Sequence, residues 1–240
     1  MRGLLVWILC VAAGEAGAQK LVLMTEEYPP FNMTAADGKL AGISTDIVRE
    51  LMQEAKVDYS LSVSPWMRAM TMAKTHEGHC VFSMSRLADR EADYRWVGPI
   101  AYNDWFLFAK AQPAAAPRPT SLAELKGARI GSYLGDGGVA YLQRRGFEVD
   151  VAPNDDLNPR KLQVGRIDYW ASGKLSGQYR LQTQKITGIE PVLKLERGDM
   201  YLACHPKTPM ATIKHLNSVL AELTRRGLVA RIYARYGYTP

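Results

Sequence analysis

LVLMTEEYPPF, Leu21 to Phe31, sets the fold: an apolar run, then two acids, an aromatic, two prolines and a second aromatic. Leu21 to Thr25 reads as a buried strand. After it, Thr45 to Lys56 places Ile47, Val48, Leu51, Met52 and Ala55 on one helical stripe, and Val57 to Val63 alternates as a strand does. Pro65 suits the first turn of the next helix, and Cys80 to Met84 is a third strand. The order is β-α-β-α-β. The same grammar returns later: strand Arg129 to Tyr133, helix Val139 to Arg145 stopped by Gly146, strand Phe147 to Val151, helix Pro159 to Val164 stopped by Gly165, strand Ile167 to Ala171. Two similar α/β lobes are implied. A capping box, Ser121 with Glu124, predicts a helix that ends at Gly127 and leads into the second unit. Two helices close the chain, Pro209 to Arg226 and Leu228 to Tyr236, separated by Gly227. Between the units, Ala111 to Thr120 has the composition of an interdomain linker; a solvated loop inside the second lobe is the alternative.

The first eighteen residues read as an export signal: Arg2, then the short apolar stretch Leu4 to Ala13, then Ala16-Gly17-Ala18 as a small-x-small cleavage site, so that the mature chain begins at Gln19 in the periplasm. That stretch is shorter than the roughly 20 residues a spanning helix needs, and Cys10 lacks the preceding small residue of a lipidation site. The 47% hydrophobic content suffices for real cores and excludes disorder. The net charge of +6 comes from scattered basic residues, which argues against nucleic acid and for small anions or anionic surfaces. Nothing in the sequence suggests an obligate interface, and a monomer is expected. Cys80 and Cys204 remain after export, where both a disulfide and two buried thiols are open to them.

In open parallel sheets, ligands sit beyond the carboxyl ends of the strands. Tyr28 and Trp66 follow the first two strands and can hold a planar or cationic group between their faces, unless they merely cap the sheet. Ser83, Ser85 and Arg90 follow the third; a guanidinium there can grip a carboxylate through two parallel hydrogen bonds, and the hydroxyls complete the anion's shell. Arg68, one turn into the helix opened by Trp66, is a second candidate cation, so a carboxylate-rich or non-amino-acid ligand is admitted.

Other chemistries have less support. Gly135 to Ala140 fits G-x-G-x-x-A, but three residues separate Gly131 of the strand from Gly135, and an exported protein meets little dinucleotide. No nucleophile elbow, H-E-x-x-H or P-loop is present. His76, His79 and Cys80 gather metal-ligand types without a second cluster, so neither metal nor cofactor is expected. Glu26 and Glu27 could act as acid and base, yet neighbours at a strand end point in different directions, and both read as structural or pocket-lining.

Taken in order, LVLMTEEYPPF, DGKLAGISTDIVREL (Asp37 to Leu51), SMSRLADRE (Ser83 to Glu91), SLAELKGARIGSYLGD (Ser121 to Asp136) and LNSVLAELTRRGLVARIYARYG (Leu216 to Gly237) resemble the family 3 extracellular solute-binding proteins, the polar amino-acid receptors of bacterial ABC importers. The resemblance covers nearly the whole mature chain. It implies a periplasmic-binding-protein fold of type II with two hinge crossings, lobe one being residues 19–101 and 199–240 and lobe two 102–198. It implies that the proline-alanine run is a loop of lobe two and that the Cys80 and Cys204 strands lie side by side, within reach of a disulfide. By position, Tyr28 and Trp66 match the family's side-chain sandwich, Ser83 and Ser85 its hydrogen bonders, and Arg90 its carboxylate clamp. Two departures stand out. Gly135, Asp136 and Gly137 replace a glycine followed by two hydroxyl residues, and Ser172-Gly173-Lys174 stands where an aspartate usually takes the ligand's ammonium group, a role that then passes to a residue such as Asp136. The expected function is capture of a small carboxylate-bearing ligand by hinge closure and delivery to the membrane subunits of an ABC importer, not catalysis. A dehydratase-like enzyme using Glu26 or Glu27, and a sensor for a membrane kinase, are the alternatives.

Overall fold

The computed structural model describes residues 20–113 and 117–239; the expected signal segment lies outside them. In chain order the strands are β1 (Leu21–Thr25), β2 (Met33–Thr34), β3 (Leu40–Ala41), β4 (Tyr59–Val63), β5 (His79–Ser85), β6 (Arg95–Tyr102), β7 (Trp105–Lys110), β8 (Ile130–Tyr133), β9 (Val149–Ala152), β10 (Tyr169–Gly173), β11 (Ile189–Glu196) and β12 (Asp199–Cys204). The α-helices are α1 (Ile43–Glu54), α2 (Trp66–Thr75), α3 (Gly137–Gln143), α4 (Asn158–Gln163), α5 (Lys174–Thr183), α6 (Met210–Arg225) and α7 (Leu228–Arg235).

Two five-stranded sheets result, ordered β4-β1-β5-β12-β6 and β11-β7-β10-β8-β9. In each, the strands joined through helices run parallel, β4-β1-β5 and β10-β8-β9; β12 and β7 run antiparallel to them, and the edge strands β6 and β11 pair antiparallel with β12 and β7 in turn. The stripe of α1 buries Ile47, Val48, Leu51 and Met52 on one face of the first sheet, together with Ile213, Leu216, Leu220 and Leu223 of α6 and Ile232 and Tyr233 of α7. The opposite face is covered by α2 through Trp66, Ala69 and Ala73, packed on Met24, Val81 and Met84. The final helices therefore return to the first sheet, and β12 pairs Cys204 with Cys80 of β5, where the two sulfurs form a disulfide.

Among the described residues two short segments join the sheets, Asn103–Asp104 and Arg197–Gly198. They lie side by side, with the Asn103 N–H donating to the Gly198 carbonyl at 2.8 Å. A Cβ on Gly198 would overlap the Asn103 carbonyl, so this contact requires glycine.

Several sequence expectations change. The capping box does not open an α-helix: Leu122–Leu125 is one 3₁₀ turn, and Glu124 collects the Thr120 and Ser121 hydroxyls while Ser121 caps no backbone N–H. The proline-alanine run connects β7 to that turn within the second lobe, with residues 114–116 outside the described segment. The glycine motif does form a strand, turn and helix, but Asp136 accepts the Gly138 N–H at 2.8 Å, so the anion-attracting end of α3 is satisfied by the chain's own carboxylate. No cluster of three His, Cys, Asp or Glu suited to a metal ion occurs among the described residues, and Cys80 is committed to its disulfide. No described helix is long and apolar enough to cross a membrane.

Candidate functional site

The carboxyl ends of β1, β5 and β8 converge on the seam between the lobes. Each carries a polar or aromatic residue just where its hydrogen-bonded ladder stops. One cavity there is lined by Glu26, Tyr28, Trp66, Ser83, Ser85, Arg90 and Met200 from the first lobe, Asn103 at the crossing, and Trp105, Tyr133, Gly135, Asp136 and Gly137 from the second. The lobes touch around it, and its volume is about 20 Å³. That holds roughly one water, whereas sites for small molecules run to about 300–1,000 Å³. A solute enters only when the lobes part. A roomier cavity of about 870 Å³ lies between Leu122, Lys126 and Phe147 at the opposite ends of β8 and β9. It lacks the convergence of both lobes and of strand carboxyl ends, so the seam is the better candidate.

Hydrogen bonds across the seam define the contact. The Trp66 Nε1–H donates to the Gly135 carbonyl at 3.0 Å, and Arg90 Nη2 donates to the same oxygen at 2.7 Å. The Tyr133 hydroxyl donates to Glu26 Oε1 at 3.0 Å, and Asn103 Nδ2 donates to the Tyr28 hydroxyl at 2.8 Å. Gly135 has φ +79°, and a Cβ on it would stand 2.8 Å from Trp66 Cδ1, so the lobes meet where only glycine leaves room. Ser83 is the exception to ordinary backbone in β5. It has φ 64° at a shift in the β5–β12 register, and its hydroxyl donates to Asn32 Oδ1 at 2.6 Å. A non-glycine residue held in the left-handed region is strained, and such strain concentrates at functional sites.

The electrostatics come from three layers. Burial lifts the Glu26 carboxyl to about 8; the Tyr133 hydrogen bond and the Arg180 charge oppose the shift, while Asp136 and Asp155 add to it. Burial and then Asp155 lift Asp136 to about 6, against the pull of the Gly138 N–H and Arg90. Burial likewise pushes the Tyr28 and Tyr133 hydroxyls up, so both remain neutral donors. Behind the cavity, Asp155 accepts from Trp170 Nε1, Ser172 Oγ and Asn158 Nδ2 at 2.7, 2.8 and 3.0 Å. The buried Arg180 on α5 donates from Nε to Asp156 at 2.9 Å, and its guanidinium carbon lies 5.8 Å from the Tyr28 ring centroid.

The structure thus brings Tyr28, Trp66, Ser83, Ser85, Arg90, Asp136 and Gly137 to one cavity. Arg68 is not among them. The buried stripe of α2 is Trp66, Ala69 and Ala73, and Arg68, about 200° around the helix from Trp66, is exposed. Of the two acids after β1, Glu26 lines the cavity and Glu27 turns outward to the Thr34 N–H. At Ser172-Gly173-Lys174, Ser172 serves Asp155, Gly173 gives its space to Asn103 and Tyr28, and Lys174 is exposed. Sequence reading did not single out Asn103, Trp105, Tyr133 or Met200. Tyr133 ends a strand and carried the same positional signal as Tyr28; the other three belong to the crossing segments and strands that the periodicity did not reveal.

Residues 21–239 match the family described as bacterial extracellular solute-binding proteins, family 3. The L-cystine-binding protein TcyJ of Escherichia coli (strain K12) is 28% identical over 224 residues, 90% of this chain and 81% of that protein. Among solved structures, a histidine kinase sensor domain with similarity to periplasmic binding proteins superposes with a TM-score of 0.82 at 19% identity, over 92% of this chain and 98% of that one. An ancestral arginine-binding protein bound to arginine gives 0.77 at 19% identity, over 90% and 97%. With two sheets joined by two short crossings and a match over almost its whole length, this chain belongs to the family 3 extracellular solute-binding proteins of bacteria.

Proposed function

We propose that this protein is a periplasmic receptor that takes a small carboxylate-bearing solute, an amino acid, between its lobes and presents the closed form to the membrane subunits of an ABC importer. The lobes move about residues 103–104 and 197–198. The observation that carries the reading is the convergence, from both lobes on one seam, of a guanidinium, two serine hydroxyls, four aromatic side chains and two acids. Arg90 receives the carboxylate in place of the Gly135 carbonyl; Ser83 and Ser85 complete the anion's shell; Tyr28 and Trp66 flank the solute; Asp136 answers its ammonium group. The relationship to a cystine-binding protein supports an amino-acid ligand. The chain acts as a monomer, with its mature end at Gln19.

The test is a thermal-shift screen of the mature protein against amino acids and small acids, followed by calorimetry, since a tight ligand at 100 times its Kd stabilises by about 2.7 kcal/mol. A shift with an amino acid that disappears in Arg90→Ala supports the reading; no shift with any amino acid refutes it. Glu26 keeps the dehydratase alternative in view, being the acid of the Glu26–Glu27 pair that lines the cavity. Recovery of the bound solute chemically unchanged after prolonged incubation rules that alternative out.

A further inference from the structure

Three charged side chains line the seam cavity: Glu26, Asp136 and Arg90. An α-amino acid held there, as the receptor reading on which this rests requires, offers one carboxylate to Arg90 and one ammonium group to a single acid. Asp136 is the acid beside that carboxylate site, because it follows Gly135, whose carbonyl Arg90 already contacts. Its Oδ1 is occupied by the Gly138 N–H and the Ser132 hydroxyl, while Oδ2 accepts no hydrogen bond among the described residues. One acid is left over. Glu26 takes the Tyr133 hydroxyl at Oε1 and makes no hydrogen bond at Oε2 among the described residues. Glu26 is half-buried at the seam, where a cationic partner favours its charged form.

We propose that Glu26 is the specificity-determining residue, and that it selects amino acids whose side chain ends in an ammonium or guanidinium group, which displaces the Tyr133 hydroxyl from its carboxylate. The alternatives fit the charges less well. A solute with a second carboxylate, such as glutamate or cystine, needs a second free cation at the seam. Arg68 is exposed on α2, and Arg180, whose Nε is held by Asp156, stands behind Tyr28 and does not line the cavity. A neutral side chain brings Glu26 no cation within the cavity.

The groups facing Glu26 are Tyr133 at the end of β8, Asp136 ahead of α3, Asp155 after β9, Arg180 on α5 and Tyr28 on its own segment. Burial lifts its carboxyl to about 8, so at pH 7 it is mostly protonated. A cation docking on Oε2 favours the ionised form. From the closed, solute-free form, capture of a cationic solute therefore releases a proton to the buffer, and affinity rises with pH up to about 8. A neutral solute releases none.

The experiment is calorimetric titration of the mature protein with L-ornithine, L-arginine, L-glutamine and L-glutamate at pH 7, in phosphate and in Tris, whose different ionisation enthalpies report protons released. The expected result is that ornithine or arginine binds at least about tenfold more tightly than glutamine, with proton release. Glu26→Gln should remove the proton release and weaken the cationic solutes by roughly thirtyfold or more. Tyr133→Phe, which removes only the competing hydroxyl, should hold or tighten them. Glutamine or glutamate binding as tightly as the cationic pair overturns the proposal, a reading that needs no variant to fold. Binding of none of the four by folded protein overturns the cationic proposal, and the full amino-acid screen then decides the receptor reading by itself.

Discussion

Gly135→Ala separates the cost of folding the second lobe from the cost of closing it on the first. Gly135 has φ +79°, a conformation that costs a residue with a Cβ about 1–2 kcal/mol whether the lobes touch or not. The added methyl also meets the first lobe: Met67 Sδ at 2.7 Å, Trp66 Cδ1 at 2.8 Å and Met70 Cε at 3.1 Å. The methionine ends can swing aside. Trp66 cannot, because it is buried and its Nε1–H is bonded to the Gly135 carbonyl. Overpacking of this kind costs about 1–3 kcal/mol, and here it falls on the closed form alone. Since binding requires closure, that cost subtracts directly from affinity, a loss of about 5- to 150-fold. Gly188→Ala is the control: φ +72° with no atom within 4 Å of the added methyl, hence a similar backbone penalty and unaltered affinity. Gly135→Asn refines the comparison, because asparagine tolerates positive φ better but still carries the Cβ. Urea unfolding and calorimetric titration of all three decide the matter. If Gly135→Ala lost stability like Gly188→Ala yet bound the solute as tightly as the unmutated protein, closure on Gly135 would not be part of binding.

Arg90→Ala should cost several kcal/mol of affinity, about 2–5 for a buried charge left without its partner, measured by titration with the solute identified in the screen. Replacing Cys80 and Cys204 by serine frees a loop with a sequence separation of 124 and should lower unfolding free energy by about 4–5 kcal/mol, read by urea denaturation without reductant. Gly173→Ala brings a methyl to 2.5 Å from the Tyr28 hydroxyl and into the Asn103 side chain, so it should break the Tyr28–Asn103 bond and weaken both stability and binding by about 1–3 kcal/mol. Without solute, closure should respond to pH. The Glu26 and Asp136 carboxyls lie above their ordinary values of 4.5 and 3.8 when the lobes touch, so the closed form binds the extra protons, is favoured at acid pH, and loses that advantage as pH rises towards about 8; small-angle scattering across that window should show the molecule expanding, and less so in Glu26→Gln.

The parallel core of each lobe was legible because its helices carry apolar stripes against alternating or continuous apolar strands. Helix α1 shows this well, with Ile47, Val48, Leu51 and Met52 all buried. What escaped lacks that contrast. The helix α5, KLSGQYRLQT, buries Ser176, Gly177 and Arg180 beside Leu181, so its inner face is written in polar residues. The strand β11 is half-buried along most of its length and shows no clean alternation. The crossings turn on Asn103 and Gly198, whose close approach is a matter of backbone packing and leaves no period in the sequence.

The site divides in the same way. Tyr28, Trp66, Ser83, Ser85 and Arg90 were found because strand ends in a parallel sheet aim their next residues at the crevice. Arg68 was misplaced by reading nearness along a helix as nearness in space. Glu26 and Glu27 illustrate a limit of a different kind. Alternation at a strand end dictates that of two neighbours one faces in and the other out, but which of them is buried depends on what stands opposite. That partner is Tyr133, 107 residues away in the other lobe, which reaches Glu26 across the seam. The burial that lifts the Glu26 carboxyl exists only when the lobes touch. The proposed clamp for a carboxylate could therefore be read from one segment of one lobe, whereas the acid proposed to discriminate among solutes acquires its character from closure, the step that in this reading couples the choice of solute to the form offered to a membrane partner.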